Sequence, residues 1–192
     1  RLAAGLDNNN QLTDEAMTRG LTCLKHFALY LKDIPVKNIA IVATAALRIA
    51  KNNQLFLDAA KKILPKEITL LSGEQEAQTI YAGMSHTSLT EEHCPQTKKL
   101  VIDIGGASTE VIVGSGCIAN KIVSLKIGCV SLLGKHFANG RLSAENFTRC
   151  ITDATNTINT IKADFIELGW QSVVGSSGTM QAMVEILHQR QQ

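Results

Sequence analysis

The sequence has little net charge and no long apolar run. Its 19 basic and 17 acidic residues leave a net charge of +2, without the basic stripe that nucleic-acid binding usually requires. We therefore expect no nucleic-acid partner, and any anionic ligand must be held locally. No apolar run approaches the length that spans a bilayer, and no signal-peptide pattern is present. We expect a soluble protein with no membrane partner.

Cysteines are few and scattered, and their number, five, is odd. They form no Cys-x-x-Cys pair, and no histidine lies near them at metal-ligand spacing. This usage predicts reduced thiols and a cytoplasmic location. The apolar fraction of 45% over 192 residues is typical of a globular fold with one domain or two small ones.

The first part of the chain alternates helix and strand signals. Thr13 is a good N-cap for an amphipathic helix that ends before Pro35. Residues 38–43 and 68–71 are short runs rich in β-branched residues, with a helical segment at 54–64 between them. Strand, helix, strand in this order favours a parallel sheet.

A capping box and a polar stretch follow. Ser72 fits an N-cap, with Gln75 able to return a hydrogen bond, which predicts a helix to about Met84 with Glu76 in its first turn. The polar stretch at residues 85–99 lacks periodicity and contains a proline. It is the best candidate for an interdomain linker or crossover.

The pattern then changes to β-rich runs separated by short glycine turns, which predicts an antiparallel meander of three strands: 100–104, 109–113 and 118–127. Two helical segments, a strand and a last helix follow, the first three at 130–137, 144–166 and 171–174. Three antiparallel strands, helix, strand, helix is the order of an RNase H-like half-domain. The sequence therefore predicts an α/β fold.

A carboxylate, Asp103, ends a buried apolar strand directly before two glycines. Such a position suits Mg²⁺ or another hard divalent cation, and the glycines let backbone N–H groups approach a phosphate. Glu110 lies on the returning strand. The phosphoryl oxygens would contact the rest of the loop: Gly105, Gly106, Ala107 and Ser108. A tight hairpin with an Asp in its turn explains this pattern alone equally well, so both interpretations stay open.

A second glycine segment joins an apolar strand to the last helix. The amides at the start of a helix favour an anion, so this segment is a candidate for a second phosphate group. Its residues are Gly175, Ser176, Ser177, Gly178 and Thr179. A plain strand-to-helix turn is the alternative interpretation.

Three further candidate site residues each have a structural interpretation as well as a functional one. Glu76 in a first helical turn is favourable for stability alone. Arg48 could reach a phosphate or could be an ordinary surface arginine. Thr44 could be a helix cap or a ligand group.

Seven segments form an ordered set: RLAAGL (1–6), LTDEAMTRGLTCL (12–24), VATAALR (42–48), SGEQEAQTIYAG (72–83), VIDIGGASTE (101–110), GCVSL (128–132) and GSSGT (175–179). Together they closely resemble the Ppx/GppA family of exopolyphosphatases and guanosine pentaphosphate phosphohydrolases, a branch of the actin, Hsp70 and sugar-kinase superfamily. The motifs look more like the guanosine pentaphosphatase branch than the exopolyphosphatase branch.

The resemblance implies roles for the candidate residues. Glu76 matches the catalytic base that deprotonates the attacking water, and Asp103 and Glu110 match acidic residues of a Mg²⁺ site. Arg48 matches an arginine that contacts the transferring phosphoryl group. The loop around Ser108 and the GSSGT segment match phosphate-binding segments.

The resemblance also implies a two-domain actin-like fold, present here as a fragment, since the chain starts without a Met and ends in a polar helical tail. Residues 1–84 would be the remainder of domain I, without its first strands and phosphate loop. Residues 85–99 would be the linker, and 100–192 the first part of domain II. Such a fragment is an incomplete catalytic unit, and the full-length protein is expected to be a homodimer.

The activity that the resemblance implies is hydrolysis of guanosine pentaphosphate (pppGpp) to ppGpp and phosphate, in the stringent response, with inorganic polyphosphate as an overlapping substrate. An exopolyphosphatase proper is one alternative. Others are an actin-like ATPase or sugar kinase, and a non-catalytic module that binds an alarmone or polyphosphate.

Overall fold

The computed structural model describes residues 2–7, 9–87 and 97–190. By packing, the chain divides into two compact units, Arg1–Ser72 and Gly73–Gln192. The predicted linker at 85–99 falls mostly outside the described residues, and the predicted domain boundary there stays a prediction. In the structure the helix that starts at Gly73 packs with the second unit.

The first unit is mostly helical. Its elements are a 3₁₀ helix at Leu2–Gly5, α1 at Asp14–Leu31, a 3₁₀ turn at Val36–Asn38, β1 at Val42–Ala43, α2 at Ala45–Ile49, α3 at Asn53–Lys61 and β2 at Thr69–Leu70. The predicted N-cap of α1 is confirmed, because Thr13 Oγ1 accepts a hydrogen bond from the Ala16 amide at 3.2 Å.

The two short strands of this unit pair in parallel, as predicted. The predicted strand at 38–43 is nevertheless shorter and begins only at Val42. Its first residues belong to a turn after Pro35, where the Asn38 amide donates to the Pro35 carbonyl. The core beside these strands is built from small and large apolar side chains: Leu12, Ala16, Leu47, Ala50, Phe56, Ala60 and Leu64.

The second unit carries a four-stranded sheet. Its elements are α4 at Gly73–Thr87, β3 at Lys98–Ile104, β4 at Thr109–Ser115, β5 at Ile118–Leu125, α5 at Cys129–His136, α6 at Ala144–Leu168, β6 at Ser172–Ser176 and α7 at Ser177–Arg190. The strand order is β5-β4-β3-β6, with β3, β4 and β5 antiparallel and β6 parallel to β3. The predicted meander is confirmed.

Helices cover both faces of this sheet. On one face, Ala77 and Tyr81 of α4 pack against Val101 and Ile112. On the other face, Phe165 of α6 packs against the strand residues that point the opposite way, such as Leu100 and Val113. Alternate residues of β3 and β4 therefore face different helices, as expected of pleated strands. No helix in the described ranges is long and apolar enough to cross a membrane.

Candidate functional site

A row of polar residues crosses the sheet at one end. Asp103 on β3 pairs with Glu110 on β4 and with Ser176 on β6, and Glu110 pairs with Ser124 on β5. Residues directly opposite one another in neighbouring strands point to the same face of a sheet. The register therefore places two carboxylates and two hydroxyls side by side on one face.

The next row along the same face is apolar and lies under α4. It consists of Val174, Val101, Ile112 and Ile122, which lie two residues from the members of the polar row. Glu76 lies in the first turn of α4, next to the buried Ala77. Its charge acts on Glu110. The helix that covers the apolar row, α4, thus adds the Glu76 carboxylate to the two carboxylates of the polar row.

Glu110 is the most buried of these carboxylates, with 1% of its surface exposed. Ser124 Oγ donates a hydrogen bond to Glu110 Oε1 at 2.7 Å. Burial raises the pKa of Glu110, and the hydrogen bond from Ser124 opposes this shift. The charges of Glu76 and Asp103 raise the pKa further, while a hydrogen bond with Ser108 lowers it. The two neighbouring carboxylates thus disfavour the charged form of Glu110, as like charges do.

The connection between β3 and β4 is a tight loop at residues 105–108. The Gly105 amide donates to the Ser108 carbonyl at 3.0 Å. A side chain on Gly105 would bring its Cβ to 3.1 Å from the same carbonyl, so the close turn favours glycine. The pattern around Asp103 is therefore a tight hairpin, and the carboxylate lies on the strand just before its turn.

The first turn of α5 holds this hairpin. The Cys129 amide donates to the Gly105 carbonyl, and the Val130 and Ser131 amides donate to the Gly106 carbonyl, at 2.9–3.0 Å. In a trans peptide the N–H points away from the preceding carbonyl. The amides of Gly106 and Ala107 therefore point away from α5, and they donate to no other residue in the described ranges. These two amides form a candidate anion site.

Gly128, just before α5, fits closely under the hairpin. A Cβ at this position would lie 2.5 Å from the Gly106 carbonyl carbon and 2.6 Å from the Ala107 nitrogen. Both contacts are to backbone, which cannot move aside as a flexible side chain can. The helix and hairpin can approach this closely only because position 128 has no side chain.

The predicted glycine loop at 175–179 is not a loop. Gly175 and Ser176 lie in β6, and α7 begins at Ser177, whose φ of 77° makes the sharp change of direction. The hydroxyls of Ser177 and Thr179 both donate to the Ile104 carbonyl, at 2.9 and 2.7 Å. The strand-to-helix turn is thus the correct local structure, and it lies against the end of β3.

That turn still places its small residues near the hairpin. Thr179 Oγ1 also contacts Cys129 Sγ at 3.7 Å, so the start of α7 meets the start of α5. Gly178 is exposed in the first turn of α7. The predicted phosphate contacts of this segment stay predictions.

Thr44 and Arg48 belong to the first unit. Thr44 precedes α2, and its side chain makes no capping hydrogen bond. Arg48 lies within α2 rather than before it, and its Nη1 donates to the Leu71 carbonyl at 2.8 Å. This bond ties the arginine to the end of β2. The predicted phosphate roles of both residues stay predictions.

The family profile described as Ppx/GppA phosphatase family matches residues 1–192. The chain belongs to the Ppx/GppA phosphatase family. It is 49% identical to the guanosine-5'-triphosphate,3'-diphosphate pyrophosphatase of Photobacterium profundum, over 97% of this chain and 37% of that protein. It is 50% identical, over the same shares, to the protein of that name in Vibrio atlanticus. The chain thus spans 37% of the length of these curated relatives.

Solved structures of the Ppx/GppA family agree. A crystal structure of an exopolyphosphatase-like protein superposes with a TM-score of 0.82 at 25% identity, covering 93% of this chain and 57% of that chain. The predicted family and the predicted α/β fold class are confirmed.

The donor set in this Ppx/GppA chain fits Mg²⁺ of the kind that binds together with a substrate. No group of three or more His, Cys, Asp or Glu is placed to hold a metal within the ranges that the structure describes. Mg²⁺ is usually held by one or two carboxylates plus substrate phosphates and water, not by a complete protein cage. The cross-strand pair Asp103 and Glu110 supplies two such carboxylates beside the hairpin.

Two residues of the site were missed from sequence. Ser124 is one polar residue in a long β-rich run, and only the strand register reveals that it faces Glu110. Gly128 lies in the matching segment GCVSL, but its contact with the hairpin depends on packing between distant parts of the chain. An alternation count on β5 would have placed Ser124 with Ile122, but not beside a carboxylate.

Proposed function

We propose that the full-length protein removes the terminal phosphate of pppGpp to give ppGpp and inorganic phosphate. The named activity of relatives at about half identity supports this substrate. The observation that carries the reaction type is the cross-strand pair Asp103 and Glu110, beside Glu76 and the Gly106 and Ala107 amides that point away from α5. Carboxylates for a cation and amides for an anion are what phosphoryl transfer needs.

The hairpin binds and orients the terminal phosphate in this proposal. The amides of Gly106 and Ala107 donate to its oxygens, and α5 fixes both peptide planes before the substrate arrives. Asp103 and Glu110 would hold Mg²⁺. When bound there, Mg²⁺ supplies positive charge that offsets the negative charge of the phosphate.

Glu76 acts as the general base. It accepts a proton from water while the water oxygen attacks the terminal phosphorus from the side opposite the leaving oxygen. The bond between the phosphorus and the bridging oxygen breaks, and ppGpp leaves with the bond's electron pair. Glu76 lies in the first turn of α4, where its charge acts on Glu110, one of the two proposed metal ligands. Arg48, Thr44 and the 175–179 segment add further phosphate contacts.

Hydrolysis of inorganic polyphosphate is the second candidate. The solved relative named exopolyphosphatase-like supports it, because the chain superposes well on that structure at 25% identity. Both substrates end in a phosphate joined through an anhydride bond, so the same residues would serve either. The two candidates differ only in the part of the substrate behind that bond.

The test compares Glu76→Gln with Glu74→Gln in the full-length protein. Both glutamates lie in the first turn of α4, but Glu74 is exposed. Phosphate release from pppGpp with Mg²⁺ should fall about 100-fold or more in Glu76→Gln, which is the usual loss for a general base. Glu74→Gln should stay close to wild type. Equal rates for Glu76→Gln and wild type would exclude Glu76 as the base.

The same assay with long-chain polyphosphate separates the two substrates. Faster release from pppGpp than from polyphosphate supports the main proposal. The reverse preference would assign the protein to the exopolyphosphatases and leave the catalytic residues unchanged.

A further inference from the structure

The side chain of Glu110 needs a partner that fixes its direction. It is 1% exposed and lies on a strand in the middle of the sheet, so its carboxylate has few orientations that a buried site can satisfy. Ser124 Oγ donates to its Oε1 at 2.7 Å. We propose that Ser124 is a positioning residue that orients the Glu110 carboxylate as a ligand of Mg²⁺. The inference rests on the proposed metal site.

The backbone sets this pair in place. Ser124 is directly opposite Glu110 in the register between β4 and β5. The irregularity in that register falls between Val113 and Gly114, towards the other end of β4. Regular pairing therefore surrounds Glu110 and Ser124, and the hydroxyl lies on a rigid element instead of a loop. A donor on a strand holds its acceptor more precisely than a donor on a loop can.

The hydrogen bonds that the Glu110 carboxylate accepts leave some of its acceptor positions available to a cation. A serine hydroxyl has one proton, and here that proton goes to Glu110. An ionised carboxylate offers about four acceptor positions, so this bond uses one of them. The hydrogen bond with Ser108 uses another. The remaining positions can face Asp103, which is the neighbour of Glu110 on the opposite strand.

Partners of this kind orient metal ligands in many proteins. Losing such a partner typically weakens metal binding by about 10-fold to 100-fold, although the partner never touches the metal. A purely structural serine would behave differently. It would satisfy the buried carboxylate and add stability, but the affinity for metal would not depend on it.

The experiment measures Mg²⁺ binding by titration calorimetry on the full-length protein in the presence of inorganic phosphate, which supplies phosphate oxygens to the ion, together with the melting temperature. The variants are Ser124→Ala, which removes the donor, and Ser124→Thr, which keeps a hydroxyl. Ser85→Ala is the matched control. Ser85 is also half-buried, and its Oγ lies 2.8 Å from the Tyr81 carbonyl oxygen and 3.1 Å from the Gly116 carbonyl oxygen, the two acceptors for its proton, near the far end of α4.

We expect Ser124→Ala to weaken Mg²⁺ binding by about 10-fold or more. Ser124→Thr should recover most of the affinity, and Ser85→Ala should bind Mg²⁺ as wild type does even if it melts earlier. Phosphate release by Ser124→Ala should recover at high Mg²⁺ concentration, because the ligands remain and only their orientation is lost. A merely structural serine would not produce this recovery.

Two outcomes would overturn the inference in different ways. Unchanged Mg²⁺ affinity in Ser124→Ala, with a lower melting temperature, would make Ser124 a structural partner and leave the proposed function intact. A wild-type protein that releases phosphate from pppGpp but binds no Mg²⁺ would remove the metal site itself and the inference with it.

Discussion

Glu110 is a carboxylic acid held almost entirely out of water, and burial raises its pKa above the ordinary value of 4.5. The folded protein therefore holds this proton more tightly than the unfolded chain does. The stability that this group contributes is fully present below pH 4.5 and is lost as the pH rises through the folded-state pKa. Without metal, ionised Glu110 is thus a cost to folding at neutral pH.

A pH series on the metal-free protein tests the direction in which the ionisation of Glu110 changes stability. With a chelator present, the melting temperature of wild type should fall relative to that of Glu110→Gln as the pH is raised from 4.5 to about 8. Glutamine keeps the shape and cannot ionise. Glu74→Gln, at an exposed position, is the control for replacing a glutamate in the same unit. Parallel curves for Glu110→Gln and wild type would contradict the raised pKa.

The contact between α5 and the 105–108 hairpin is the element on which the candidate anion site depends. Gly128→Ala would push a Cβ into the backbone of Gly106 and Ala107. Overpacking of this kind costs about 1–3 kcal/mol, and it would displace the two outward amides. We expect lower stability in urea unfolding and a higher KM for pppGpp.

Gly134→Ala in the same helix is the matched control. A Cβ there meets nothing within 4 Å among the described residues. Alanine in a helix interior is favoured over glycine by roughly 0.5–1 kcal/mol, so this variant should be slightly more stable than wild type with an unchanged KM. Equal effects of the two substitutions would show that helix propensity, not the hairpin contact, explains the result.

Elements with local signals were predicted well. The cap at Thr13 and the antiparallel meander with its short glycine turns are read from neighbouring residues, and both are confirmed. The start of β1 and the turn at Ser177 were predicted wrongly, because a turn after Pro35 and a sharp backbone change replaced the expected strand and loop. No local sequence pattern predicts the role of Ser124, because that role depends on Glu110 on the neighbouring strand.

At the scale of the molecule, the two units have separate cores. Phe56 is 2% exposed in the core of the first unit, while its neighbour Leu55 is 63% exposed. Phe56→Ala should cost about 3–5 kcal/mol, because it leaves a cavity. Leu55→Ala should change stability by no more than about 0.5 kcal/mol.

Hydrogen exchange can locate that loss. Because the cores of the two units share no residue, Phe56→Ala should speed amide exchange in α1 and α3 and leave the amides of β3 and β4 protected. Faster exchange throughout both units would show that they unfold as one cooperative body.

The connection at 105–108 also sets the register between β3 and β4, and with it the face of the sheet on which each carboxylate lies. Asp103 and Glu110 face α4, while their neighbours Ile102 and Val111 face the apolar side under α6. A one-residue slip of β4 against β3 would put Val111 opposite Asp103 and turn Glu110 towards that apolar side. A change of loop length that causes such a slip would therefore place the two carboxylates on opposite faces of the sheet, even with every residue of the site kept.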